Sequence, residues 1–414
     1  MPEVTANFPR RIATTAAALF VALYALALFD PGIAAQAAAA SVEDHIAAVE
    51  NGLIALPQIT GAPGRTFTLA ERMSFYKVPA VSVAVINNYE IEWARAWGTK
   101  EAGGTQPVTR DTLFQAGSIS KPVTAMGVMH LVQQGKLNLD TNVNDVLKSW
   151  KVPDNEFTRA KPVTLRELLT HSAGTNVHGF FGYNVRVERP SVVQVLKGVA
   201  PANSPPVVVE RAPGSKWQYS GGGIEIVHQM VLDVTGIPFA DFMQTTVLHP
   251  LGMTHSTYEQ PLPDTMQENA AAGTHLDGTE VPGKWHVYPE QAAAGLWTTP
   301  SDLARFAIAL MNAGRGRDNP VISTGIAKEM LRPQRDIDDG SNAQMGLGIF
   351  LHGSGSDALF FHAGADEGFQ AQMLGYDAGY GVVVMVDSDN GLRLAAEIVQ
   401  SVEREYSWPP SHLL

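Results

Sequence analysis

The chain of 414 residues contains no cysteine. Disulfides, thiolate metal sites and lipidation of a cysteine are therefore excluded, although the compartment is not fixed by that absence. Charge is also sparse, at 17% of residues, and it is unbalanced: 29 Lys and Arg face 41 Asp and Glu, for a net charge of −12. A nucleic-acid partner, which needs a basic face, is not expected. After residue 40 there is no repeat, low-complexity tract or long apolar run. Phosphate chemistry has no Gly-rich loop ending in lysine to support it, and the Gly-x-Ser-x-Gly elbow of α/β-hydrolases is missing. The twelve histidines show no His-x-x-x-His or other metal spacing, so neither a metal nor a cofactor is expected. At 45% hydrophobic residues the composition is that of a core-forming globular chain.

The one apolar run lies at the N-terminus. Arg10 and Arg11 precede a charge-free stretch from Ile12 to Phe29, and Ala35-Gln36-Ala37 offers a small-x-small cleavage site. Residues 1–40 are expected to be an export signal, with a retained membrane anchor as the alternative, so the expected location is periplasmic or secreted. Any membrane attachment would run through this segment alone. Residues 41–64 read as a lead-in, and the fold is expected from Arg65 to about residue 405.

Chemistry is concentrated in three places. The first is Ser118-Ile119-Ser120-Lys121. Apolar residues from Val123 to Val132 predict an amphipathic helix over 119–134, with Pro122 in its first turn and Gly135 as its stop. Ser118 then sits at the helix N-terminus with Lys121 three positions on, on the same face. A serine hydroxyl needs a base to become a nucleophile. Burial and the positive end of a helix dipole both disfavour an ammonium, which is the condition for a lysine to be that base. The free N–H groups of the helix end can also receive an oxyanion. Taken alone, the pair is more simply a capping serine and a solvated lysine.

The second place runs Pro213-Gly214-Ser215-Lys216-Trp217-Gln218-Tyr219-Ser220, followed by Gly221-Gly222-Gly223 and a helical stretch from Ile224 to Val234. A tyrosine placed there can share a proton with Lys121 or pass it to a leaving group. By itself Tyr219 is a core or turn aromatic. The third is Phe360-Phe361-His362-Ala363-Gly364-Ala365, the end of an apolar strand. Gly364 would let a substrate lie along the strand edge, and the Ala365 N–H is a candidate second oxyanion donor. A lone histidine at a strand end is usually structural.

Ser-x-x-Lys, Pro-Gly-x-x-Trp-x-Tyr-Ser and His-x-Gly, in this order, resemble the serine β-lactamase and penicillin-binding-protein superfamily, in its class C-like branch. That branch includes class C β-lactamases, D-Ala-D-Ala carboxypeptidases, D-aminopeptidases and esterases. The likeness extends to Val78–Ile86, to Thr112–Gly117, to Val163–Gly174 with its His171-Ser172 turn, to Pro250-Leu251-Gly252-Met253 and to Ala294–Leu303. It implies Ser118 as the acylated nucleophile, Lys121 as its base and Tyr219 as a proton shuttle. It also implies His362 and Gly364 along the substrate strand, and the N–H groups of Ser118 and Ala365 as the oxyanion hole. Two positions depart from the stricter pattern. Gly221 replaces an asparagine, and His-Ala-Gly replaces Lys-Thr-Gly. Both weaken a penicillin or D-Ala-D-Ala substrate and favour the esterase-like members, because a histidine is mostly neutral near pH 7.

The expected fold is α+β. Strands are read at Val81–Ile86, Ile91–Ala96, Gly346–Phe350, Phe369–Gly375 and Gly381–Asp387, with a closing helix at Leu392–Glu405. These make an antiparallel sheet built from both chain ends and flanked by helices, with a mostly helical lobe inserted at roughly residues 120–300. The loops 174–190 and 264–289 are expected to rim a cleft floored by Ser118. The expected partner is a small ester, amide or peptide. The alternatives are a β-lactamase, D,D-carboxypeptidase or D-aminopeptidase, and, outside enzymes, a peptidoglycan-binding descendant of the scaffold.

Overall fold

The computed structural model describes residues 40–56 and 65–411. The export or anchor segment expected over the first forty residues lies outside the described residues, apart from residue 40. The described residues from Val42 onward form one compact unit. Among the described residues no helix is long and apolar enough to cross a membrane.

Eight strands form one sheet: β1 (Ala80–Asn87), β2 (Glu90–Gly98), β3 (Arg335–Asp336), β4 (Gln344–Met345), β5 (Phe350–His352), β6 (Leu359–Asp366), β7 (Phe369–Tyr376) and β8 (Gly381–Val386), in the order β2-β1-β8-β7-β6-β5-β4-β3. Every neighbouring pair is antiparallel. The N-terminal hairpin docks on the last strand, as expected from the two strand-rich chain ends. The period-2 alternation of side chains assigns the two faces. Val81, Val83, Val85, Val382 and Val384 face one core cluster, while Ala84, Ile86, Val383 and Met385 face the other. The strand β8 is therefore a continuous apolar run, buried on both sides.

The back face is covered by α1 (Val42–Asn51), α2 (Leu69–Tyr76) and the closing helix α6 (Gly391–Glu405). The fold therefore begins before Arg65. Ile46, Val49 and Leu53 are buried against Ile398 and Val402, because α1 presents an apolar stripe that α6 needs covered. Buried Arg72 joins Glu397 through Nε at 2.7 Å and Nη2 at 2.6 Å, and the Tyr76 hydroxyl donates to the same carboxylate at 2.8 Å. The front face carries α5 (Pro300–Gly314), and α3 (Ser120–Gln133) and α4 (Gly221–Thr235) lie in the same larger core cluster, packed on other helices. Phe114–Gln115 pairs antiparallel with Trp297–Thr298, so the chain leaves for the helical region and returns from it at one join.

Three sequence readings are corrected. The helix read over 119–134 is a 3₁₀ turn at Gly117–Ile119 followed by α3, and α3 is buried almost all round rather than amphipathic. The strand read at Gly346–Phe350 is, up to Ile349, the turn between β4 and β5, closed by the Gly346 N–H on the Ile349 carbonyl, and only Phe350 lies in a strand. The three glycines read as a cluster before a helix are the first turn of α4, capped by the Ser220 hydroxyl, which accepts from the Gly223 N–H at 3.0 Å.

Candidate active site

The site is assembled where α3, α4 and β6 meet. The turn that carries Ser118 is pressed against β6. A Cβ added to Gly117 would lie 2.5 Å from the Ala365 nitrogen, and one on Gly364 would lie 1.9 Å from the Ala116 carbonyl oxygen and 3.2 Å from the Ser118 nitrogen. Only glycine permits this approach on both sides, and Gly117 also takes φ of +50°. The contact brings the backbones of Ser118 and Ala365, the expected oxyanion donors, to one place. Ser120 fastens the turn. Its hydroxyl donates to the Gly117 carbonyl at 2.6 Å and accepts from the Leu296 N–H at 3.0 Å.

Lys121 is 2% exposed. Its Nζ donates to Ser118 Oγ at 2.8 Å and to the Ala293 carbonyl at 2.8 Å. The 3₁₀-to-α junction keeps the two side chains on one face, three residues apart. The surface-lysine reading therefore fails: the amine is enclosed and directed at the serine. Lys121 meets Tyr219 through the ring, with Nζ 5.1 Å from the centroid, and no hydrogen bond joins it to the tyrosine hydroxyl.

Tyr219 stands in a box of rings. His171 is 4.4 Å away between centroids, His178 5.0 Å, Phe350 6.3 Å and stacked, and His362 6.3 Å. His171 Nδ1 accepts from the Ser220 N–H at 3.3 Å, which ties the 171–178 loop to the end of the tyrosine segment. Ser172 bonds Thr170 at 2.9 Å instead of its histidine neighbour, so the two form no catalytic dyad. His171, His178, Phe350 and the Ala293 carbonyl were not read from sequence as site residues. Their signal is tertiary: each belongs to a segment that looks structural until it is folded against Tyr219 or Lys121.

His362 is buried. Its Nδ1–H donates to the Ala363 carbonyl at 2.6 Å, and Nε2 has no protein partner among the described residues. Burial, and then the charge of Lys121, lower its pKa to about 3, so the ring is neutral across physiological pH. His171 is likewise held well below the usual imidazole range, by burial first and then by Lys121. Strand β5 pairs with β6 only from Leu359 to Phe361, which leaves the β5-side edge of β6 unpaired from His362 onward. That edge can accept an extended group in a backbone ladder.

Buried carboxyls stand behind this arrangement. Asp366, at the end of β6, and Glu290, beside the short helix that offers the Ala293 carbonyl, have no well-formed hydrogen bond on either oxygen, with only weaker approaches from the Gly117 N–H and the Tyr183 hydroxyl. Burial pushes the Asp366 carboxyl well above the ordinary range. It raises Glu290 to about 8, with Glu225 adding to the shift. The loops expected to rim the cleft meet each other, since Tyr183–Asn184 pairs with His286–Val287. A Cβ on Gly221 would lie 3.1 Å from the His178 carbonyl oxygen and 3.1 Å from the Phe180 ring, so the 174–190 loop fills the space where a side chain would stand.

An enclosed amine on a serine, and two glycines that set a strand against the turn of that serine, are an arrangement suited to acyl transfer of the serine–lysine type. The profile of the family described as Beta-lactamase matches residues 68–400, and the chain belongs to that family. It is similar to Penicillin-binding protein 4 of Amycolatopsis lactamdurans, with 28% identity over 63% of this chain and 66% of that protein. A putative D-alanyl-D-alanine carboxypeptidase of Escherichia coli K12 is 24% identical over 76% of this chain and 77% of the relative. Esterase EstB of Burkholderia gladioli is 29% identical over 53% and 57% respectively. The chain thus spans slightly under two thirds to three quarters of the two penicillin-binding and carboxypeptidase relatives, and little more than half of the esterase. The octameric penicillin-binding protein homologue from Pyrococcus abyssi superposes with a TM-score of 0.70 at 21% identity, over 84% of this chain and 77% of that one, and shares the fold. The chain is a serine hydrolase of this family.

Proposed function

We propose that the protein is an exported hydrolase that cleaves uncharged esters, and less readily amides, through an acyl-enzyme on Ser118. The observation that carries this is the 2.8 Å bond between Lys121 Nζ and Ser118 Oγ inside a buried site. In the reaction the Lys121 amine takes the Oγ proton as Oγ attacks the carbonyl carbon. The N–H groups of Ser118 and Ala365 hold the oxyanion. Collapse of the tetrahedral intermediate expels the alcohol, which receives the proton from Lys121 directly or through the Tyr219 hydroxyl. Water, deprotonated by the same groups, then attacks the acyl carbonyl, and Ser118 recovers its proton.

Two features favour an uncharged ester over a penicillin or a D-Ala-D-Ala peptide. The strand edge carries a neutral imidazole at 362 where the resemblance expects a lysine for a substrate carboxylate. Position 221 carries no side chain to hold a substrate amide, and the loop has closed over that space. The carboxypeptidase-like relatives keep D-peptide cleavage as the second reading.

The test compares a short-chain p-nitrophenyl ester with a chromogenic cephalosporin, with Ser118→Ala as control. Fast ester turnover and slow cephalosporin turnover, both lost in the variant, are expected. Ester turnover by Ser118→Ala at the wild-type rate would overturn the mechanism, and dominant cephalosporin turnover would overturn the substrate class. Export is read from the mass of the protein recovered outside the cytoplasm: loss of the N-terminal segment at Ala35-Gln36-Ala37 is expected, and an intact N-terminus on a membrane-bound protein would establish the anchor instead.

A further inference from the structure

We propose that His275, Glu367 and Asp389 form a divalent-cation site, of the kind that takes Zn²⁺ or Mn²⁺, at the end of the substrate-binding strand. The three residues come from three separate segments: the loop that precedes Gly278, the β6–β7 turn and the β8–α6 junction. One donor atom from each converges within 4.8 Å. His275 Nδ1 stands 3.2 Å from Glu367 Oε1 and 3.5 Å from Asp389 Oδ2.

Two further features set this cluster apart from a chance meeting of surface charges. Both carboxylates approach the same imidazole nitrogen, at 3.2 and 3.5 Å, so the three donor atoms meet at one place. One donor side chain and the backbone of all three donor residues are also held from outside the cluster. Asp389 Oδ1 accepts from the Gly368 N–H at 2.7 Å, which turns Oδ2 toward His275. The Glu367 N–H donates to the Tyr288 hydroxyl at 2.8 Å. The His275 N–H bonds the Thr279 carbonyl at 2.8 Å, and the Asp389 N–H bonds the Thr274 carbonyl at 2.9 Å. Such outer contacts orient metal ligands and hold a site open for its ion.

The donor set selects the ion. One imidazole nitrogen with two carboxylates suits zinc or manganese, whereas calcium prefers six to eight oxygens. Two negative charges and a neutral ring balance a divalent cation. The three side chains are between 23% and 34% exposed, so water can complete the coordination. The place gives the ion a consequence. Glu367 directly follows Asp366 and lies two residues beyond Ala365, so a bound cation would clamp the end of β6 to the start of α6.

The test is titration of metal-free wild-type protein, prepared without a polyhistidine tag, with Zn²⁺ by calorimetry, alongside His275→Ala and Asp389→Asn. About one Zn²⁺ per chain is expected, with a raised melting temperature and binding weakened about tenfold or more in each variant. Co²⁺ in place of Zn²⁺ should give a visible spectrum of nitrogen and oxygen ligation, a readout that needs no variant. Zn²⁺ bound equally by wild type and both variants would overturn the proposal by placing the ion on another histidine. Absence of saturable Zn²⁺ and Mn²⁺ binding would overturn it as well, and would leave the three groups as an ion-pair cluster.

Discussion

Two clusters of buried polar side chains on opposite sides of the central sheet are held in different ways. Behind the sheet, Arg72, Tyr76 and Glu397 satisfy one another completely. In front, Glu290, Asp366, His171 Nε2, His362 Nε2 and Glu225 Oε1 are buried without a well-formed protein hydrogen bond. A buried charge is tolerated as structure only when it is paired. Unpaired buried groups cost stability and persist where the surrounding structure enforces them, and such positions cluster at active sites. The back layer is thus built to hold, and the front layer spends some of that stability on an enclosed amine and neutral imidazoles.

Substitutions can break this contrast. Lys121→Met should lower ester turnover by about 10²–10⁴-fold, the range of a general base, while the melting temperature moves by no more than a few degrees. A large fall in melting temperature would make Lys121 a structural group. Arg72→Ala should do the reverse. It leaves Glu397 buried and unpaired, and should cost about 3–5 kcal/mol in chemical denaturation with kcat of the folded fraction unchanged. Equal damage to kcat would show that the two faces are coupled.

Glu290→Gln sharpens the comparison through pH. With a folded pKa of about 8 against 4.5 in the unfolded chain, Glu290 binds more protons in the folded state between those values. Its contribution is present below about pH 4.5 and is lost as pH rises through 8. Relative to its standing at pH 5, the variant should gain on wild type by about 3–4 kcal/mol at pH 8. An unchanged difference across that window would show that Glu290 is ionised in the folded protein.

His362→Asn is expected to have the smallest effect. A ring that takes its proton only near pH 3 leaves no imprint on activity at higher pH, so the pH–rate profile from 5 to 9 should keep its shape. The rate should change by less than about tenfold, below the range of an acid–base group. Stability follows the opposite sign to Glu290. The unfolded imidazole binds the extra proton, so wild type loses stability as pH falls from about 6.5 toward 3, and the variant should be flatter there. A new inflection near pH 6 in the wild-type rate, absent from the variant, would show that His362 titrates in the reaction.

The sequence determined the elements whose signals are local. Strand-like apolar runs marked β1, β2, β7 and β8, and apolar residues marked α6 and the helix after Ser118, because each of these elements buries its own side chains in a core. Ser118, Lys121, Tyr219, His362, Gly364 and Ala365 stood out by type and order, and the fold brings them close together. The break between β4 and β5 went unread, because its cause is how the chain turns there against neighbours far along the sequence. Tertiary structure alone decided the rest. Ala293, His171, His178 and Phe350 lie far along the chain from the residues they serve. The burial that holds His362 neutral and Glu290 protonated is a property of packing, since only the folded protein removes water from both. No spacing rule joins positions 275, 367 and 389, because side chains on three segments find a common point only once the sheet has set its turns.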